Sequence, residues 1–140
     1  MQLTKQTDLS LRVMIHLAII QPNQATIKDI SEKYKVSRNH LMKVVNKLVT
    51  HELIGATQGR GGGIRLINSP ESIRVGDVVR VMESTDDLID CAGSGCPITP
   101  ACKLKHVLKE STQAFLAVLD GYTIKDITEN KSVLIQLISH

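Results

Sequence analysis

The chain has 140 residues and a formal net charge of +3 at pH 7, with 42% apolar but only 2% aromatic residues. No early apolar run approaches the ~20 residues that a membrane-spanning helix needs, and the start lacks the layout of a signal peptide. We therefore expect a soluble, cytoplasmic protein with no membrane partner and a core built from Leu, Ile and Val.

Three helices are predicted in the first third of the chain. Apolar residues recur every fourth position in residues 4–20, which predicts the first helix. Thr26 is a suitable N-cap for a short helix over residues 27–34, and Ser37 can cap a longer helix over residues 38–51. Two helices joined by so short a turn indicate a helix-turn-helix.

A glycine-rich hairpin and three further segments follow. Four glycines surround Arg60 in residues 59–63, between two extended stretches, which is typical of a hairpin with a flexible tip. A helix is predicted over residues 75–83, a long loop over 84–101, and a long helix that Cys102 begins. This last helix is the natural element for dimerisation.

The predicted fold class is mainly α with a small β-hairpin, arranged as a winged helix-turn-helix plus a long dimerisation helix. Three parts are predicted along the chain. Residues 1–83 form the winged helix-turn-helix, residues 84–102 a cysteine-rich loop, and residues 103–140 the dimerisation helix with a C-terminal segment.

Basic residues are concentrated in the first half of the chain, which points to a polyanionic partner. Residues 1–65 contain ten Lys and Arg against four Asp and Glu, whereas residues 66–140 contain seven against ten. The second helix of a helix-turn-helix presents polar side chains to the major groove, and a cation framed by glycines suits the minor groove. The candidate DNA contacts are Arg38, Asn39, His40, Lys43 and Lys47 in the helix and Arg60 in the wing.

An ordinary helical hairpin with a solvated basic face is the alternative for each of these features taken singly. The order of helix, turn, helix and glycine hairpin favours binding to double-stranded DNA. A helix-turn-helix usually binds as a dimer that reads two half-sites about one turn of DNA apart. No grouping of Ser, His and Asp has the spacing of a catalytic motif, so we do not expect an enzyme.

Cys91, Cys96 and Cys102 are the only cysteines, and all lie within twelve residues. An odd number of cysteines in a cytoplasmic chain argues against a structural disulfide framework. Three soft thiolates in one loop suit an iron–sulfur cluster or a zinc ion. His106 could complete a structural zinc site, a bare thiol switch is possible, and a small electron carrier is a further class to distinguish.

With these features assembled, the chain resembles the winged-helix family of iron–sulfur repressors, and most closely its nitric-oxide-sensing members. The resemblance extends from residue 1 to about residue 120. Its motifs are residues 3–12, residues 36–41 in the recognition helix, residues 59–63 in the wing, residues 76–83, and the three cysteines.

The resemblance implies a homodimer with one [2Fe–2S] or [4Fe–4S] cluster per subunit, held by the three cysteines. In such repressors a carboxylate in the first turn of the first helix can reach the cluster of the partner subunit, and Asp8 occupies the matching position. Operator DNA would be bound by the cluster-loaded dimer and released on nitrosylation, so that genes for nitric-oxide detoxification are derepressed. The family's regulator of iron–sulfur assembly carries a ligand His three residues after its third cysteine, where this chain has Lys105. A regulator that responds to iron–sulfur or redox status is therefore the alternative.

Overall fold

The computed structural model describes residues 1–139 and contains seven helices and a two-stranded hairpin within them. The elements in chain order are α1 (Lys5–Ile19), α2 (Ile27–Tyr34), α3 (Arg38–Thr50), β1 (Ile54–Thr57), β2 (Gly63–Leu66), α4 (Val75–Met82), α5 (Cys91–Ser94), α6 (Leu104–Asp120) and α7 (Lys131–Ile138). This confirms the predicted fold class. His140, the last residue of the predicted C-terminal part, lies outside the described residues.

The first three helices begin where side chains cap their free amides. The Thr4 hydroxyl accepts a hydrogen bond from the Thr7 amide, and the Ser37 hydroxyl accepts one from the His40 amide. At α2, Thr26 and Asp29 form a reciprocal capping box. Between α2 and α3 the chain reverses at Lys35, which takes a left-handed conformation with φ of 54°.

The core lies between α1, α3, α4 and the inner face of the hairpin. The strands are antiparallel, and Ile54 pairs with Leu66 so that both side chains point into the core. The central residues, all buried, are Val13, Met14, Leu17, Leu41, Val44, Leu48, Ile54, Ile64, Val78 and Val79. Because side chains alternate along a strand, Gly55, Thr57 and Arg65 lie on the opposite, outer face.

The long helix α6 is attached to this core along one side only. Thr112 and Leu116 of α6 are buried against the core. Arg80 of α4 donates two hydrogen bonds, of 2.6 and 2.8 Å, to the Asp120 carboxylate of α6. No helix among residues 1–139 is long and apolar enough to span a bilayer.

The prediction that Cys102 begins the long helix is wrong. A 3-10 turn over Thr99–Ala101, containing Pro100, leads the chain into an extended conformation at Cys102 with ψ of 116°. The helix therefore starts at Leu104, with Lys103 as its cap residue. The predicted loop also contains α5, and the segment after Gly121 forms α7.

Candidate DNA interface and cysteine segment

Helix α3 presents a polar outer face beside the turn that joins it to α2. Arg38, Asn39, His40 and Lys43 are exposed, whereas Lys47 is half-buried. Leu41, Val44, Val45 and Leu48 fill the opposite face of the same helix and fix its orientation in the core. The four exposed side chains are therefore brought together on one surface, and the Lys47 side chain is partly covered by its neighbours.

Arg38 is close to an acidic side chain of the preceding helix. Its guanidinium lies 4.0 Å from the Glu32 carboxylate, with both side chains more than half exposed. An exposed pair at this distance is worth little, about 0–1 kcal/mol, so Arg38 can exchange Glu32 for a phosphate or a base at small cost.

The first turn of α1 adjoins the recognition helix. Lys5, Gln6, His40 and Lys43 line a shared cleft of about 220 Å³, with Leu9 at its base. Lys5 and Gln6 are not among the DNA contacts that the sequence predicts, although both are exposed and polar. Their position ahead of the first apolar residues of α1 is compatible with many roles, and only the packing of α1 against α3 places them beside His40.

The wing carries Arg60 at its tip. Between the strands the chain turns with Gly59 at φ of 88° and Gly61 at φ of 72°, and the Gly62 amide donates to the Gly59 carbonyl at 3.0 Å. Side chains other than glycine rarely adopt such positive φ angles, so the glycines are required for this tight tip. Arg60 is exposed between them.

The three cysteines are free and partly buried, and lie on the segment between α4 and α6. Cys91 begins α5, whose cap residue Asp90 accepts a 2.7 Å hydrogen bond from the Gly93 amide. Cys96 follows the left-handed Gly95, and Cys102 follows the 3-10 turn. Among residues 1–139, no three His, Cys, Asp or Glu side chains converge on one point where a metal could sit.

The donor set nevertheless fits a thiophilic group. Three free thiols are present on one short segment, and none is consumed by a disulfide. The segment would have to close for the thiols to meet at one group. His106, the alternative zinc ligand, is exposed on the first turns of α6.

Asp8 is exposed on α1 and already has a partner in its own chain. Its two carboxylate oxygens lie 3.0 Å from Arg12 Nε and 2.8 Å from Arg12 Nη2, a two-pronged contact across one helical turn. The cysteines do not contact Asp8 closely enough to form a shared metal-binding group within this chain. Its predicted ligand role therefore concerns the other subunit of a dimer.

Glu83 joins the start of the cysteine segment to the start of α1. Its carboxylate accepts hydrogen bonds from the Thr4 amide and, at 2.8 Å, from the Thr7 hydroxyl. Partial burial favours the protonated form, but the hydrogen bonds from Thr4 and Thr7 outweigh it and hold the pKa of Glu83 below its ordinary value. This contact, between residues 76 or more positions apart, was not predicted from the sequence.

Comparison with known proteins agrees with this architecture. A sequence model of the Rrf2 family, described as iron-dependent transcriptional regulator, matches residues 3–130. The chain is 46% identical over 142 aligned residues to the HTH-type transcriptional regulator NsrR of Bacillus subtilis (strain 168), covering 99% of this chain and 97% of that protein.

Two solved structures share the fold. CymR, the global cysteine regulator of B. subtilis, superposes with a TM-score of 0.73 at 23% identity, covering 93% of this chain and 98% of that chain. IscR of T. potens superposes with a TM-score of 0.71 at 21% identity, covering 93% and 88%. The family match and the 46% identity to NsrR confirm the resemblance found in the sequence. The chain belongs to the Rrf2 family of transcriptional regulators and is a DNA-binding protein rather than an enzyme.

Proposed function

We propose that this regulator is a homodimeric, nitric-oxide-responsive repressor of nitric-oxide detoxification genes, with one iron–sulfur cluster per subunit. The observation that carries the proposal is the Glu83 contact. It connects the segment bearing the three free thiols to the first turn of α1, which adjoins the recognition helix. A conformational change in the cysteine segment can therefore reach the DNA-binding surface through the contact of Glu83 with α1. The resemblance of the sequence motifs to the nitric-oxide-sensing members of the family supports nitric oxide as the signal.

Cys91, Cys96 and Cys102 would hold the cluster, either [2Fe–2S] or [4Fe–4S], because thiolates are its usual ligands. When bound, such a group supplies iron atoms with which nitric oxide reacts. The task of the chain itself is to close the segment between α4 and α6 around the group and to relax when the thiols are freed. Residues 84–102 act as the cluster-binding loop in this scheme, between the DNA-binding part (1–83) and the dimerisation part (103–140).

Asp8 from the partner subunit would be the fourth ligand, and Arg12 would compete for it. Iron bound across the dimer would draw on the same two carboxylate oxygens that contact Arg12. A non-thiolate ligand that is shared with an arginine makes for a labile site, as a sensor requires.

On the DNA, α3 would enter the major groove with Arg38, Asn39, His40, Lys43 and Lys47, and Arg60 would enter the minor groove. Arginine and asparagine can each make two hydrogen bonds to a guanine or an adenine edge. Release requires only a small displacement of α3, since each base contact is worth about 1–3 kcal/mol of discrimination.

The test is anaerobic reconstitution of the full chain with iron and sulfide, followed by absorbance spectroscopy, metal analysis and DNA titration. We expect a coloured protein that binds operator DNA and releases it when nitric oxide is added. The Cys96→Ala variant should be neither coloured nor able to bind operator DNA. A colourless protein with bound zinc and DNA binding unaffected by nitric oxide would indicate the structural-zinc alternative. A cluster that responds to oxygen or iron supply before nitric oxide would indicate the redox-status regulator.

The Asp8–Arg12 contact leads to a separate prediction. Arg12→Ala frees Asp8 and should slow the loss of the visible absorbance when an iron chelator is added, whereas Asp8→Ala should accelerate it. Stability should change little, by about 0.3–0.5 kcal/mol, because the pair is an exposed one across a helical turn. The double variant should behave like Asp8→Ala. If Arg12→Ala has the same effect with and without Asp8, the two residues are independent and the competition by Arg12 is wrong. If Asp8→Ala loses its absorbance as slowly as the wild type, the ligand role of Asp8 is wrong.

A further inference from the structure

Arg65 lies on the outer face of the wing, in the pair position opposite Gly55. Its guanidinium covers the glycine: a Cβ built at Gly55 would lie 3.4 to 3.6 Å from the guanidinium atoms of Arg65. Nη1 of the same group also donates to the Thr57 hydroxyl at 3.4 Å. The side chain is thus laid across strand β1 instead of extending freely into solvent.

Gly55 has no backbone reason to be glycine. Its φ is not in the left-handed region, and it pairs regularly with the neighbouring strand. Glycine inside a strand weakens it and often marks a place where another group approaches closely. Here the approaching group is the Arg65 guanidinium, which would lie in ordinary van der Waals contact with a Cβ at Gly55. A side chain larger than alanine at Gly55 would extend into the space that this guanidinium occupies.

The charge of Arg65 is not neutralised within the described part of the chain. Arg12, Arg38 and Arg80 each have a carboxylate within 4.0 Å, whereas none among residues 1–139 lies that close to Arg65. An exposed, oriented and uncompensated guanidinium on the wing of a DNA-binding protein has an obvious complement in the phosphate backbone. Guanidinium and phosphate match in geometry and can form two parallel hydrogen bonds.

We propose that Arg65 is a phosphate clamp of the wing, oriented by Gly55 and Thr57, which binds one backbone phosphate beside the groove that Arg60 enters. The inference rests on the DNA-binding mode proposed above and adds to it a contact that carries no base specificity. Arg60 would read the shape of the groove, while Arg65 anchors the hairpin to the backbone.

The experiment uses the full-length protein after anaerobic reconstitution with iron and sulfide, and measures its binding to a mixed-sequence duplex of roughly 30 base pairs, or three helical turns, by fluorescence anisotropy over a range of salt concentrations. For Arg65→Ala we expect a loss of affinity on the order of tenfold. The slope of log K against log salt should become shallower by about 0.9 per subunit, the value for one phosphate contact. Arg65→Lys should keep the slope but lose part of the affinity, because an ammonium cannot present two parallel donors.

Gly55→Val tests the orientation without changing any charge. Valine suits a strand, so the hairpin should fold at least as well, but the side chain displaces the guanidinium from its seat. We expect weaker binding than wild type and no additional loss when Gly55→Val is combined with Arg65→Ala. Arg74→Ala is the matched control, since it removes the same charge beside Thr123 and outside the wing, and it should leave the slope nearly unchanged.

Three outcomes would overturn the clamp. Arg65→Ala could bind as wild type does, Gly55→Val could bind normally while Arg65→Ala is weak, or the loss could be confined to one selected sequence with an unchanged slope. The last result would identify a base contact. A wild-type protein that fails to bind the duplex at all would instead contradict the DNA-binding mode proposed above. Weakening by Lys43→Ala but not by Arg65→Ala would leave that mode standing and remove only the clamp.

Discussion

Glu83→Ala is expected to lower the free energy of unfolding by about 2 kcal/mol, the usual worth of hydrogen bonds to a charged group. The substitution removes the acceptor for the Thr4 amide and for the hydroxyl of Thr7, which is 0% exposed. The Thr7 hydroxyl then keeps only its 3.0 Å contact with the Thr4 hydroxyl. Denaturant unfolding of the wild type and the variant measures the difference.

The same substitution should weaken DNA binding, because the first turn of α1 carries Lys5 and Gln6 beside His40 and Lys43. Glu83→Gln is the matched control. It retains an oxygen that can accept both hydrogen bonds but loses the charge, so its stability and affinity should lie between those of the wild type and Glu83→Ala. Glu83→Ala that unfolds and binds DNA as the wild type does would contradict the linking role of Glu83.

The contribution of Glu83 should also depend on pH. Its pKa in the folded protein lies below the ordinary value of 4.5, so the unfolded chain takes up the proton first as the pH falls. The stabilisation is therefore complete above about pH 5 and is lost as the pH drops from 4.5 through the folded pKa. The difference in unfolding free energy between wild type and Glu83→Gln should shrink over that range. A difference that stays constant from pH 7 down to pH 3 would contradict the assignment.

The helix-turn-helix could be predicted from the sequence because its signals are local. Thr26 and Asp29 are three residues apart and form the capping box of α2, and the Ser37 hydroxyl caps α3 by accepting from the His40 amide. The glycines of the wing tip are likewise required by the local backbone conformation. Such signals depend on neighbours within one turn, and no knowledge of the tertiary fold is needed to interpret them.

The contacts that connect these elements could not be predicted in this way. Glu83 and Thr7 are 76 residues apart, and nothing about a glutamate at the end of a helix indicates which amides it will accept from. The position of the Arg65 guanidinium over β1 could be predicted only from the register of the hairpin, which places Gly55 opposite Arg65. Cys102 was misplaced because the apolar pattern of α6 continues up to the 3-10 turn, while the chain geometry around Pro100 delays the helix to Leu104.

The sequence predicts that the long helix α6 forms the dimer interface, and the structure shows which face of α6 is exposed. Leu104, Val107 and Val118 are 56%, 54% and 62% exposed, and with Ser111 and Ala114 they form a stripe along α6 with alternating spacings of three and four residues. This spacing is that of helices that pack against one another in coiled coils. The stripe lies beside, and not within, the face that α6 packs against α4. A second copy of α6 is the proposed occupant.

Val107→Glu should convert the dimer to a monomer, because it would place an unpaired charge in the middle of an apolar interface. The monomer should keep its fold, since the side chain of Val107 is already half exposed. Its DNA affinity should fall by about 10²–10⁴, because linked binding to two half-sites is lost. Sedimentation analysis measures the mass, circular dichroism the helix content, and anisotropy the binding.

Gln113→Glu provides the control for the added charge. It introduces the same negative charge on the opposite, exposed side of α6, where no partner helix is expected. This variant should remain dimeric and bind DNA nearly as well as the wild type, with only the small loss caused by one more negative charge. If Val107→Glu remains dimeric at the same concentration, the stripe is not the interface. If it becomes monomeric yet keeps wild-type affinity, the two DNA-binding domains do not act together, and the expectation of paired half-sites is wrong.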